Sequence, residues 1–199
     1  MLISRLPNDL CLSFANTRFW RGRPAPSETL QDIAALLDWL GRSAGAESLE
    51  GALGWCRHHP VKTKQIFADA IGVREALYCI FSALADNAPV PRSEFARLQQ
   101  ALSAAPARRA LIRSGEAFAW STDETRVTTP ILLAPVLWSA ADLLVGDLGH
   151  AVRRCANDEC LWLFLDRSKT GTRRWCDMAS CGNRAKARRH YGRIKHAHA

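Results

Sequence analysis

Two cysteine pairs of equal spacing constrain this chain more than any other feature. Cys155 and Cys160 enclose Ala-Asn-Asp-Glu, and Cys176 and Cys181 enclose Asp-Met-Ala-Ser, so each pair is a C-x4-C unit. A unit of that length can bend until both sulfurs face one point, and four thiolates at the corners of a tetrahedron make a closed structural zinc site. Disulfides would need an oxidising compartment that nothing in the sequence indicates, and iron–sulfur proteins more often use tighter C-x2-C spacings. The reading is therefore one structural Zn2+ on Cys155, Cys160, Cys176 and Cys181. The remaining three of the seven cysteines, Cys11, Cys56 and Cys79, lie in apolar surroundings and read as small buried hydrophobes.

Around the cysteines the chain has the ingredients of a small module. Leu161 to Leu165 is an apolar run that reads as a buried strand, and Asp166 to Thr172 has the composition of a hairpin tip. A module of about forty residues is close to the size at which a core alone is insufficient, so bound metal would supply much of its folding free energy. From Ala185 to Lys195 there is no proline and only Gly192 as a poor helix former. Ala187, Tyr191 and Ile194 make one stripe for packing, while Arg184, Lys186, Arg188, Arg189 and Arg193 spread over the rest of this basic helix. The net charge of +8 sits entirely here: residues 1–150 hold 15 Lys/Arg against 15 Asp/Glu, and residues 151–199 hold 12 against 4. A basic module on a neutral domain points to a polyanionic partner.

Cys176 to Arg184, with Arg173-Arg174-Trp175 before it and Arg188-Arg189 after it, closely resembles the CGNR zinc-finger family, named for Cys181-Gly182-Asn183-Arg184. The first C-x4-C unit and the Phe164-x-Asp166 segment fit the same pattern. Members of that family usually carry an N-terminal domain known as ABATE and are regarded as bacterial transcription regulators, with a loose link to stress response. Leu10 to Thr17 resembles the opening motif of that domain, commonly LxLDFxNT, although Ser13 stands where an Asp is usual. The resemblance implies residues 1–150 as an ABATE-like helical domain and residues 151–199 as the zinc finger.

Residue patterns in the first 150 positions give a mainly α fold with a small β element. Leu10 to Trp20 alternates in character and reads as a short strand running into a turn at Asn16-Thr17. Ser27 is a candidate cap for a helix over Thr29–Leu40 with Gly41 at its exit, and Ser43 to Gly54 is less regular. His58-His59-Pro60 marks a break, with the His pair read as surface loop because adjacent helical residues do not face one another. Val61 to Ala85 is a long amphipathic helix, the spine of the domain. A shorter helix, capped by Ser93, runs from Phe95 to before Pro106, and Glu116 to Trp120 reads as a strand that pairs with the Leu10 segment. Thr129-Pro130 opens a helix reaching to about Gly149, expected to abut the finger directly.

The functional expectation follows from the charge division, the zinc spacing and the resemblance together. It is a DNA-binding transcription regulator in which Arg184, Lys186, Arg188, Arg189 and Arg193 enter the major groove and Arg173 and Arg174 meet flanking phosphates. The first domain is read as sensing a small molecule or forming a homodimer, with Asn16, Thr17, Arg18 and Trp20 as candidate pocket residues. An RNA-binding or ribosome-associated zinc protein is the alternative, because attraction to phosphate does not separate DNA from RNA. For catalysis there is no phosphate-cradling Gly-rich loop and no metalloprotease or deaminase motif, and four thiolates leave zinc no open position, so no enzyme is expected. The stretch Ile131 to Val145 is too short and interrupted to span a bilayer, and residues 1–14 lack the pattern of a signal peptide. A cytoplasmic, nucleoid-associated protein is the resulting expectation.

Overall fold

The computed structural model describes residues 1–47, 49–122, 126–146 and 151–188. Its elements in chain order are β1 (Leu2–Ile3), α1 (Leu10–Ala15), β2 (Arg18–Phe19), β3 (Ser27–Glu28), α2 (Ile33–Ala44), β4 (Ala46–Glu47), α3 (Glu50–His58), α4 (Pro60–Ala85) and α5 (Arg92–Ala104). There follow β5 (Ala110–Ser114), β6 (Ala117–Ser121), α6 (Thr129–Leu132), α7 (Ala134–Val145), β7 (Val152–Arg154) and β8 (Leu163–Leu165). A five-residue π-turn, Met178–Gly182, then leads into a last helix, α8 (183–188). The mainly α reading holds, with an antiparallel sheet of order β4-β1-β6-β5 and two two-stranded ribbons, β2-β3 and β7-β8.

The spine helix α4 starts where proline costs least, with Pro60 in the first turn. Ile66, Ala70, Val73, Leu77, Ile80 and Phe81 recur at helical spacing and are all buried. Both His58 and His59 turn their Nδ1 atoms back onto α3, donating to the carbonyls of Gly54 at 2.8 Å and Trp55 at 2.9 Å. Two helix ends differ from expectation. Asp32, not Ser27, caps α2 by accepting from the Ala35 N–H at 2.8 Å, and Ser27 is spent on strand β3. At the other end Gly45, with φ 56°, takes the left-handed cap that Gly41 was expected to provide.

The Leu10 segment is a helix rather than a strand. Leu10, Cys11, Leu12, Phe14 and Ala15 are all buried, the lone exposed Ser13 is too little to mark a period, and a short apolar run reads equally as strand or helix. Its place in the sheet is taken by β1, which puts Ile3 opposite both Ala46 and Trp120. The helix expected from Ile131 divides at Leu133, because Pro135 has no N–H to continue the ladder. Cys11 and Cys56 are buried as expected, whereas Cys79 is exposed.

One core unites most of these elements and crosses into the zinc module. Val152, Leu163 and Leu165 belong to the same buried cluster as Phe14, Leu77 and Phe81. Strand period explains the division: Phe164, between Leu163 and Leu165, turns to the other side and packs with Cys155, Cys160 and Cys181 in a small second cluster. The module therefore docks on α1 and α4.

Candidate metal centre and nucleic-acid interface

The cysteines at 155, 160, 176 and 181 converge, with all four Sγ atoms within 4.8 Å of one another. Tetrahedral zinc with Zn–S bonds of about 2.3 Å needs sulfurs roughly 3.8 Å apart. The Cys160–Cys176 and Cys176–Cys181 separations are 3.7 and 3.8 Å, so the donor set fits one structural zinc. Hydrogen bonds from the Cys160 and Cys176 thiols push the Cys155 thiol far below its ordinary value, and a site whose thiols compete for protons releases them when a cation binds.

Each C-x4-C unit is bent by its own device. In the first, the Cys160 N–H donates to the Asn157 carbonyl at 2.8 Å, and Leu161 takes a left-handed φ of 54° to let the chain leave. Asn157 is 1% exposed, and its Nδ2 donates to the Cys181 sulfur at 3.4 Å, a contact that would offset thiolate charge and orient the ligand. In the second unit the Asp177 carboxylate accepts from the N–H groups of Ala179 at 3.2 Å and Ser180 at 2.9 Å, opening the wide π-turn that brings Cys181 round to Cys176. Asp166 holds the loop between the pairs: its carboxylate accepts from Ser168 Oγ at 2.6 Å and from the Arg173 N–H at 2.8 Å. The Ser168 bond leads the causes that keep this carboxyl below its ordinary value. Asp166 is thus a buried organiser, although its sequence neighbours suggested a hairpin tip.

The basic residues divide into those engaged within the protein and those turned outward. Arg173 Nε donates to the Trp175 carbonyl at 2.9 Å, its Nη2 donates to the Cys176 carbonyl, and its guanidinium lies 4.7 Å from the Phe164 ring centre. Arg174 lies over Trp175 at 5.5 Å. Arg184 stacks on the Trp20 ring at 4.6 Å, and Arg188 Nη2 donates to Asn157 Oδ1 at 3.3 Å. Arg184, Lys186 and Arg188 are all exposed on α8, which starts two residues after Cys181. Arg189 and Arg193 lie outside the described residues.

Asn16 and Thr17 are buried at 4% and 5% exposure, and the structure spends them on joining the two parts of the chain. Asn16 Nδ2 donates to the Leu163 carbonyl at 2.8 Å and its Oδ1 accepts from the Leu163 N–H at 3.0 Å, so the amide acts as one more rung beside β8. Thr17 Oγ1 donates to the Phe14 carbonyl at 2.7 Å and accepts from Arg74 at 3.3 Å. Trp20, at a φ of 56°, packs beside the metal cluster and lines a cleft there with Phe19 and Trp162. Ser13, the departure from the ABATE motif, is exposed on α1, so the missing carboxylate leaves the core untouched. Close packing at this joint also explains Gly22. Its N–H donates to the Glu159 carbonyl at 3.2 Å, and any Cβ there would collide with the Asp158 carbonyl.

A cluster of charges under the joint was not legible beforehand. Arg74 is 1% exposed on α4 and makes two 2.7 Å bonds to Glu28. Arg21 makes bonds of 2.6 and 3.1 Å to Glu75 and lies 3.8 Å over the Tyr78 ring, whose hydroxyl donates to the Leu161 carbonyl at 2.9 Å. Burial pushes the Glu75 carboxyl up, but the Arg21 bonds and charge outweigh it and hold it below its ordinary value. A depressed carboxyl stabilises the fold fully above the unfolded-state value of about 4.3 and loses that contribution as pH falls further. Glu75→Gln is therefore expected to lower the thermal midpoint by about 2–4 °C at neutral pH, the shift made by about 1 kcal/mol in a chain of this size. The gap between variant and wild type should close as pH falls below about 4. Differential scanning fluorimetry across pH checks both, and a gap independent of pH would assign the effect to packing.

A helical domain clasping a four-thiolate module with a basic exit helix defines a two-part zinc-finger protein. More particularly, the chain belongs to the ABATE family: the family model, described as a putative stress-induced transcription regulator, matches residues 8–147, and the CGNR zinc finger model matches residues 151–194. A search of curated proteins found no match. Among the described residues no helix is long and apolar enough to cross a membrane.

Proposed function

We propose that this protein is a DNA-binding transcription regulator. Residues 151–199 form its DNA-binding part, and residues 1–150 sense a small molecule or dimerise. The observation that carries the reading is the position of α8. Zinc would fix Cys181 at the start of that helix, and three exposed cations, Arg184, Lys186 and Arg188, follow within the next seven residues. The net +8 of residues 151–199 supplies attraction to phosphate, and arginine supplies bidentate recognition of guanine edges. The stack of Arg184 on Trp20 gives that guanidinium a fixed direction, so the first domain takes part in aiming the second. Arg173, bonded to carbonyls around Cys176, serves the loop first and phosphate second. The donor set is closed and neither family is an enzyme family, so we read the protein as non-catalytic, acting at the nucleoid in the cytoplasm.

Fluorescence anisotropy on duplexes selected from a random library tests this. If Arg184 or Arg188 reads a base edge, its change to Ala should cost about 1–3 kcal/mol and relax preference at one position. If Lys186 meets phosphate, Lys186→Ala should weaken all duplexes alike and lower the salt slope by about one. Unchanged affinity in a variant combining Arg184→Ala, Lys186→Ala and Arg188→Ala would reduce α8 to a solvated face.

Structured RNA is the second reading, and the aromatic cleft favours it. Trp162 is 37% exposed beside the metal ligands, a ring available for stacking on an unpaired base. Competition between duplex DNA and structured RNA separates the two. Trp162→Ala should impair only the RNA complex.

A further inference from the structure

The first domain holds an open cavity of about 630 Å³ between α3, α4, α5 and the segment leading into α6, with neither Asn16 nor Thr17 in its lining. That volume lies within the range of small-molecule sites. Its floor is apolar: Ile66 and Val73 from α4 and Ala101 from α5 are each 8% exposed or less, and Trp55 adds an aromatic edge. Its polar wall is unbalanced. Lys62 and Arg97, both exposed, line it, and among the described lining residues the one carboxylate is that of Asp69, which already accepts a 2.8 Å bond from Gln65. Among the described residues neither Lys62 nor Arg97 has an ion-pair partner.

Gly72 of α4 lies beside Arg97. A glycine inside a helix costs roughly 1 kcal/mol relative to alanine. Here a Cβ at position 72 would stand 2.9 Å from Arg97 Nη1, the far end of a flexible and exposed side chain that can shift to make room. Two exposed cations at the edge of an apolar hollow suit an anionic head on an apolar body.

We propose that this cavity binds a small amphipathic carboxylate, an acyl or aryl acid, with its apolar part on Ile66, Val73 and Ala101 and its carboxylate on Arg97 and Lys62. The proposal rests on the sensing half of the function above. The route to the zinc module is short: Val73 faces the cavity, and the next residues of the same helix, Arg74 and Tyr78, hold Glu28 and the Leu161 carbonyl. A ligand that favours one seating of α4 would thereby bias the joint.

The test uses the zinc-loaded full chain and isothermal titration calorimetry with octanoate, phenylacetate and naphthoate, alongside their neutral amides. At least one acid should bind saturably and raise the thermal midpoint, with its amide about tenfold weaker or worse. Arg97→Gln should reduce acid affinity about tenfold and leave the amide unchanged. No binding by any acid, equal binding of acid and amide, or unchanged affinity in Arg97→Gln overturns the assignment. Duplex binding is measured separately by anisotropy with and without the bound acid. Loss of the regulator reading would leave the calorimetry standing, and failed calorimetry with intact duplex binding would remove the cavity proposal alone.

Discussion

Cys181→Ser is expected to abolish zinc binding and to destabilise the whole chain rather than the module alone. Wild-type protein purified without added metal should carry about one equivalent, as four thiolates to one ion require. Removing one ligand forfeits most of a binding energy that reaches about 10–16 kcal/mol in isolated finger peptides. From the sequence, a folded first domain beside an unfolded finger is the natural expectation. The shared core changes it: Val152, Leu163 and Leu165 are inserted into the first domain's cluster, and each buried aliphatic side chain is worth about 1.5–3 kcal/mol. When β7 and β8 lose the metal that holds their far ends, that contribution weakens with them. Metal analysis should read close to zero for the variant, and limited proteolysis should cut first between residues 155 and 181. Urea denaturation should show a lower midpoint for the remaining domain as well. A first domain of unchanged stability would mean that the β7-β8 ribbon stays docked without zinc.

The zinc site was legible because its chemistry is local: two C-x4-C units leave few alternatives for four sulfurs. The long α4 was legible for a similar reason, since a 26-residue amphipathic pattern is hard to mistake. The joint was not legible. Asn16 bonds to a residue 147 positions away, and an asparagine beside a threonine carries no local mark separating an inserted amide from a turn. Arg74 shows the same limit more sharply. On the helical period it falls beside the apolar stripe, where arginine normally reads as a snorkelling surface residue, and its burial is made tolerable by Glu28 arriving from β3 together with its neighbour Glu75. Segment 10–15 is ambiguous in sequence because five of its six residues are buried and the single exposed Ser13 sets no period. The cavity is not legible because Lys62 and Arg97 come from α4 and α5, so no single stretch of sequence shows them together.

The second large effect is expected at Asn16, and it distinguishes an interdomain joint from a ligand site. Asn16→Ala removes both partners of the Leu163 main chain, and Leu163 is 1% exposed, with no access to water in their place. Each buried polar group left unsatisfied costs about 1–3 kcal/mol, so urea denaturation should show a loss of about 2–4 kcal/mol. Ser13→Ala, on the exposed face of the same short helix, should stay within about 0.5 kcal/mol. Asn16→Asp gives a signature that simple loss of packing cannot reproduce. The carboxylate still accepts from the Leu163 N–H, but it presents a second oxygen where the amide donated to the Leu163 carbonyl 2.8 Å away. Burial and that carbonyl both disfavour the charged form, which raises the folded-state pKa of the new Asp above the unfolded value of about 3.9. A raised carboxyl pKa places the penalty at high pH and relieves it as pH falls through the folded value, because the protonated acid donates once more. Asn16→Asp should accordingly be less stable than Asn16→Ala near pH 7 and overtake it toward pH 5, while both retain zinc by metal analysis. Parallel profiles for the two variants would mean that the amide's donor is not what holds β8 to the first domain.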